Sequence, residues 1–238
     1  MLDKNYFSKV VEDERKRFSN ICGNILGLSF SQIERYYIFL NIILCRYRER
    51  SENFIKSSKA LINASEPNSR SSSETINGLL EQQNEANKLL HLEIESFYLF
   101  AKILLDKIAR FIEFYFGQAR SAPLDSHDDV VKNIKKYAEI KGLIAISNDT
   151  MQLIKELKQN VSDYRDYEIA HEKNPRTTKG TGFGNCVESA RIIGIKLYPK
   201  EKDRQIESGI LSELIKQIDK YIMEIVTYIS INKDKAKL

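Results

Sequence analysis

Arg165, Asp166 and His171, within the stretch YRDYEIAHEKNPR from Tyr164 to Arg176, are the side chains whose types and spacing best suit chemistry. An imidazole with an ordinary pKa near ~6.5 exchanges protons at neutral pH, while a guanidinium keeps its charge. Such a pair suits work on a phosphate: His171 as acid or base, Arg165 as the clamp on negative charge. Lys173, Arg176 and Lys179 follow and are candidates to track a phosphate backbone, with Tyr164 or Phe183 as a stacking surface for an unpaired base. A purely structural alternative is equally specific. A cation near a helix C-terminus interacts favourably with the last carbonyls, Arg165 and Glu168 pair at three-residue spacing, and Tyr167 or Glu168 orients the imidazole with no substrate involved. An ideal helix turns about 600° over six residues, about 120° short of alignment, so the length of the arginine must bridge the difference.

An arginine, a polar residue directly after it and a histidine a few residues on, in an all-helical setting, resembles the HEPN superfamily (higher eukaryotes and prokaryotes nucleotide-binding). Arg165, Asp166 and His171 carry the resemblance, and LEIESFYLFAKILLDKIA, residues 92–109, looks like an inner helix of such bundles. The resemblance implies a metal-independent endoribonuclease, often a toxin or a stress or antiviral defence protein acting as a dimer, with Asp166 holding Arg165. The runner-up that the resemblance implies is a non-catalytic module that binds nucleotide, RNA or a protein partner; a purely structural helical dimer is a third reading. RNA cleavage requires deprotonation of a 2′-hydroxyl, stabilisation of charge on phosphorus and protonation of the 5′ leaving oxygen. One motif per chain supplies one proton-transfer group, so the catalytic reading expects a homodimer that brings two copies together. An antitoxin or other protein partner is a further expectation.

Composition narrows the setting. The net charge of +4, from 37 Lys+Arg against 33 Asp+Glu, is too slight to announce nucleic-acid binding without clustering. Cys22, Cys45 and Cys186 are odd in number and contain no CxxC pair, which suggests neither a disulfide framework nor a zinc site and fits the cytoplasm. His91 lies close to Glu93 and Glu95, and His127 precedes two aspartates, but no HExxH spacing is present. No metal and no cofactor are expected. GTGFG, residues 180–184, lacks the spacing and the preceding strand of a phosphate-binding loop. The charged N-terminus does not read as a signal peptide. Tyr36–Cys45, YYIFLNIILC, is too short to span a bilayer and reads as a buried helical stretch, so no membrane partner is expected.

The elements that must position Arg165 and His171 are helices. The expected fold is all-α, an elongated up-and-down bundle of long antiparallel helices, forming one domain over 1–238 with a flexible loop at 65–75 and an inserted loop or hairpin at 174–200. A first helix is expected from Asp3 to about Asn20. Gly23 and Gly27 then loosen the chain before the capping box Ser31–Glu34 opens a helix to about Ala64, with Ile33, Tyr37, Leu40, Leu44 and Tyr47 inward and Arg46, Arg48 and Arg50 leading to solvent. The next runs from Ile76 to about Gln118, with Leu89, Leu92, Leu99, Ile103, Ile108 and Ile112 as apolar stripes. Ser126 to about Gly142 is a short amphipathic helix. Ser147 or Asn148 caps a helix through Lys173, buried on Met151, Ile154, Leu157, Val161, Tyr164 and Ala170 and ended by Asn174–Pro175. A small β-hairpin is expected near 176–200, where ARIIGIKLYP is β-branched. Ser208 to about Asn232 closes the chain as a helix buried on Ile210, Leu214, Ile218, Tyr221, Ile222, Ile225 and Ile229.

Overall fold

Apolar residues at three- and four-residue steps wind most of the chain into helix. The computed structural model describes residues 2, 5–15, 20–66, 69–163, 179–184, 191–197 and 210–236. Among these the elements are α1 (Tyr6–Arg15), α2 (Asn20–Ser65), α3 (Ser73–Phe116), α4 (His127–Lys141) and α5 (Asn148–Leu157). A π-helical turn (Lys158–Asp163) follows, then β1 (Lys179–Gly184), β2 (Arg191–Leu197), α6 (Ile210–Ile231) and a closing 3-10 turn, Lys233–Lys235. The fold is an all-α helical bundle carrying a small two-stranded hairpin.

By its contacts the chain divides into two compact units: Met1–Leu40, Tyr98–Asp166 and Glu213–Leu238 form the first, Asn41–Phe97 and Tyr167–Ser212 the second. The first unit has an aromatic core. Phe7, Phe30, Phe111, Tyr115, Phe116 and Tyr228 form a chain of rings with successive centroids 5.6, 5.0, 6.3, 4.8 and 6.2 Å apart, linking α1, α2, α3 and α6. Each such pair contributes roughly 0.5–1.5 kcal/mol beyond the apolar area it buries. Tyr37 adds a hydrogen bond, accepting from the Leu2 amide at 2.9 Å.

Helix α3 stops where Gly117 takes φ 81°, a left-handed conformation that costs glycine nothing. The connection to α4 is then tied down by one stripe of α4. Asn133 Nδ2, the Tyr137 hydroxyl and Lys141 Nζ, spaced four residues apart, donate to the carbonyls of Pro123, Gly117 and Gln118 at 3.0, 2.7 and 2.8 Å. At its start α4 has a full capping box, Ser126 Oγ accepting from the Asp129 amide while Asp129 Oδ2 accepts from that of Ser126. At its end Gly142, φ 61°, closes it with bonds to the carbonyls of Ala138 and Glu139.

In the second unit α2 and α3 run antiparallel beyond the short connection 66–72, packing Ile43, Leu44, Tyr47 and Phe54 with Leu90, Ile94 and Phe97 in its core. Glu93 is buried there and meets Arg46 at 2.7 Å, which balances its charge. Strand β1 pairs antiparallel with β2, from Lys179 opposite Leu197 to Gly184 opposite Arg191. The register shifts after Gly182, opposite Gly194, because Phe183 lies opposite Ile192 and one residue of β2 bulges.

Several expectations change. Gly23 and Gly27 do not interrupt α2, and Ser31 caps nothing: its hydroxyl donates to the Leu28 carbonyl at 2.8 Å, inside a continuous helix. Glycine costs a helix interior only about 1 kcal/mol, less than burial of Phe30, Ile33 and Tyr37 on the same face provides. The window Tyr36–Cys45 is not wholly buried, since Ile38 and Ile42 are 48% and 49% exposed and Cys45 is exposed. Likewise Leu92, Leu99 and Ile103 face outward on α3, while Ile108 and Ile112 are buried. A helix with apolar residues on more than one face offers more stripes than its neighbours cover, and packing selects among them. Arg50 is only half exposed.

Candidate functional site

Tyr164, Arg165, Asp166, His171, Lys173 and Arg176 lie outside the described residues, as do Tyr167, Glu168 and Ala170. What is described is the helical segment that leads up to them. Ser147 caps α5, its Oγ accepting from the Thr150 amide at 3.0 Å. The Thr150 hydroxyl in turn donates to Glu224 on α6 at 3.0 Å. The connection before α5 is held by Asn232, whose Oδ1 accepts from the Ile144 amide at 2.7 Å. Met151, Ile154, Leu157 and Val161 are buried, on the face their spacing predicts.

The helix does not stay α-helical. From Lys158 to Asp163 it is π-helical, a wider turn with i→i+5 bonding that is often found at functional sites. Val161 and Ser162, adjacent in sequence, are both fully buried there. The expected uninterrupted α-helix is therefore corrected at Lys158.

Beside this segment lies a cluster the sequence hid. His127, the first residue of α4, is 0% exposed, and its ring meets Tyr221 of α6 edge-on with centroids 5.5 Å apart. Its backbone amide donates to Asp106 Oδ1 at 2.8 Å, and that carboxylate also pairs with Lys102 at 3.1 Å. Lys102, itself buried, reaches Asp128 at 3.5 Å. Among the described residues neither ring nitrogen of His127 has a hydrogen-bond partner. Burial above all, then the ammonium of Lys102, pulls its pKa down to about 3; Asp128 opposes this and Lys158 of the π-helical turn adds to it. The imidazole is thus neutral at neutral pH. Burial, with Asp106 adding to it, pushes the Tyr221 phenol far above its ordinary value, so it too is neutral.

This cluster does not leave the α4 N-terminus open to an anion, because Asp106 and Asp129 already occupy its amides. The one readable signal for His127 was its place on the stripe Val130, Ile134, Tyr137, Ala138, three and four residues apart and all buried. His91 is half-buried on α3. Among the described residues no group of three His, Cys, Asp or Glu side chains is placed to hold a metal ion.

Lys179 is the first residue of β1, opposite Leu197, and Phe183 lies in the same strand. GTGFG is thus strand rather than a loop before a helix, which removes the geometry of a phosphate-binding loop. Among the described residues no helix is long and apolar enough to cross a membrane. Compared with protein families, curated proteins and solved structures, the chain matches none.

Proposed function

We propose that this chain is a metal-independent endoribonuclease of HEPN type, working as a homodimer in the cytoplasm within a toxin, stress or antiviral defence system. The observation that carries the reading is the sequence Arg165–Asp166 followed by His171, which directly succeeds the π-helical turn in a helical bundle. In this reading one His171 takes the proton of the RNA 2′-hydroxyl, whose oxygen attacks the adjacent phosphorus. His171 of the second copy gives a proton to the departing 5′ oxygen, and Arg165, held by Asp166, stabilises the added negative charge. The products are a 2′,3′-cyclic phosphate and a 5′-hydroxyl. The nucleophile belongs to the RNA, so no metal-bound water is needed. Tyr164, Lys173, Arg176 and Lys179 hold the strand.

The test uses labelled single-stranded RNA in excess EDTA. Cleavage should persist, leave a cyclic phosphate, and vanish when a 2′-deoxy sugar replaces the cleaved position, while DNA is bound and uncut. His171→Ala should lower the rate by about 100-fold or more with unchanged helical circular dichroism. Arg165→Lys keeps the charge but loses the planar fork, and should cost about tenfold or more. Parental activity in His171→Ala, or equal cutting of the deoxy substrate, overturns the mechanism. Saturable nucleotide, RNA or partner binding that depends on Arg165, without cutting, establishes the non-catalytic module instead.

A further inference from the structure

We propose that His127 is an acid-released latch: protonation drives its imidazole out of its buried seat and loosens α4 together with the π-helical turn it packs against. The latch has a geometric basis and does not depend on RNA cleavage. The side chain is fully buried at the first position of α4, its ring rests edge-on against Tyr221, and among the described residues neither nitrogen has an acceptor to receive a second N–H. Of the charged groups around it Asp128 alone favours a cation, and burial with Lys102 and Lys158 outweighs it. From α3 it faces the ammonium of Lys102 and the carboxylate of Asp106, from α4 Asp128, from the π-helical turn Lys158, and from α6 the neutral phenol of Tyr221. Both carboxylates are already committed to Lys102, at 3.1 and 3.5 Å. A proton on His127 would add a third positive charge to a desolvated site.

The consequence follows from linkage. In the closed form the imidazole takes up a proton only near about pH 3, whereas a hydrated imidazole does so near ~6.5. The closed form is therefore favoured fully above the hydrated value and loses ground as pH falls between the two. Between about pH 7.5 and pH 5.0 the open population rises about 30-fold. Because α4 packs on both α5 and the π-helical turn, opening disturbs the segment that ends at Asp163.

Two measurements decide it. In the folded parent, the His127 imidazole followed by NMR should stay neutral from pH 7.5 to 5.0; titration near 6.5 overturns the proposal. Hydrogen exchange, corrected for the intrinsic pH dependence of amides, should accelerate about 30-fold over that range in α4 and residues 158–163, and less than about threefold in His127→Phe, which keeps the ring against Tyr221. Unchanged protection in the parent, or equal acceleration in the variant, sinks the latch. Should His127→Phe fail to fold, titration and exchange in the parent still distinguish a latch from a static core histidine.

Discussion

Asn232 and His127 are both buried polar side chains at a helix end, and their surroundings treat them in opposite ways. Asn232 is 3% exposed and has both ends of its amide in use: Oδ1 accepts from the Ile144 amide and Nδ2 donates to the Tyr228 carbonyl at 3.0 Å. It thereby fixes the connection from which α5 starts. Asn232→Ala should cost about 1–3 kcal/mol, because two hydrogen bonds made by a buried side chain are lost together. The urea midpoint should fall with the slope unchanged. Thr227→Ala, which removes an exposed hydroxyl bonded to the Met223 carbonyl, should stay within about 0.5 kcal/mol of the parent. A result in which the two variants were equal would show that the Asn232 bonds contribute nothing special. Among the described residues the His127 ring has no such partners, and its burial is tolerable because a neutral ring can be packed as an aromatic.

At the scale of elements, helix length and helix ends follow different rules. α2 runs through two glycines because a long buried face outweighs their local cost, whereas α4 ends where a glycine adopts a conformation other residues resist. Gly78, inside α3, has nothing within 4 Å of where a methyl would sit. Gly78→Ala should therefore stabilise the protein by about 0.5–1 kcal/mol, through a less flexible unfolded chain and better helix propensity. Gly142 has equal room but φ 61°, so Gly142→Ala should destabilise by about 1 kcal/mol. Thermal denaturation of both variants checks the pair, and the opposite sign for either would refute the conformational argument. The π-helical turn belongs to this scale too. The residues of this turn, Lys158–Asp163, have no composition that marks them.

For the whole molecule, the chemistry proposed at Arg165 and His171 sets the assembly. Two proton transfers and one histidine motif per chain call for two chains. Light scattering at micromolar concentration should give twice the 27.6 kDa of a single chain. A monomer at that concentration would exclude the two-chain mechanism, although RNA binding by one chain would be untouched. His171→Ala should leave the mass unchanged, since its role lies in the reaction and not in association.

The sequence by itself determined which segments are helical and most of their inward faces. Ile33, Tyr37, Leu40, Leu44 and Tyr47 on α2, and Leu214, Ile218, Ile222, Ile225 and Ile229 on α6, are buried as their periodicity requires, and Gly117 and Gly142 end their helices. These are local properties, set by the helical repeat and by backbone sterics. The candidate motif was legible too, as residue types at a spacing. Tertiary structure decided the rest: that Ile38, Ile42, Leu92, Leu99 and Ile103 face outward, that α2 continues through Gly23 and Gly27, that α5 passes into a π-helical turn, and that His127 is enclosed with Lys102. Each depends on groups far away in sequence, since burial and electrostatic environment are set by what packs alongside and carry no local signature.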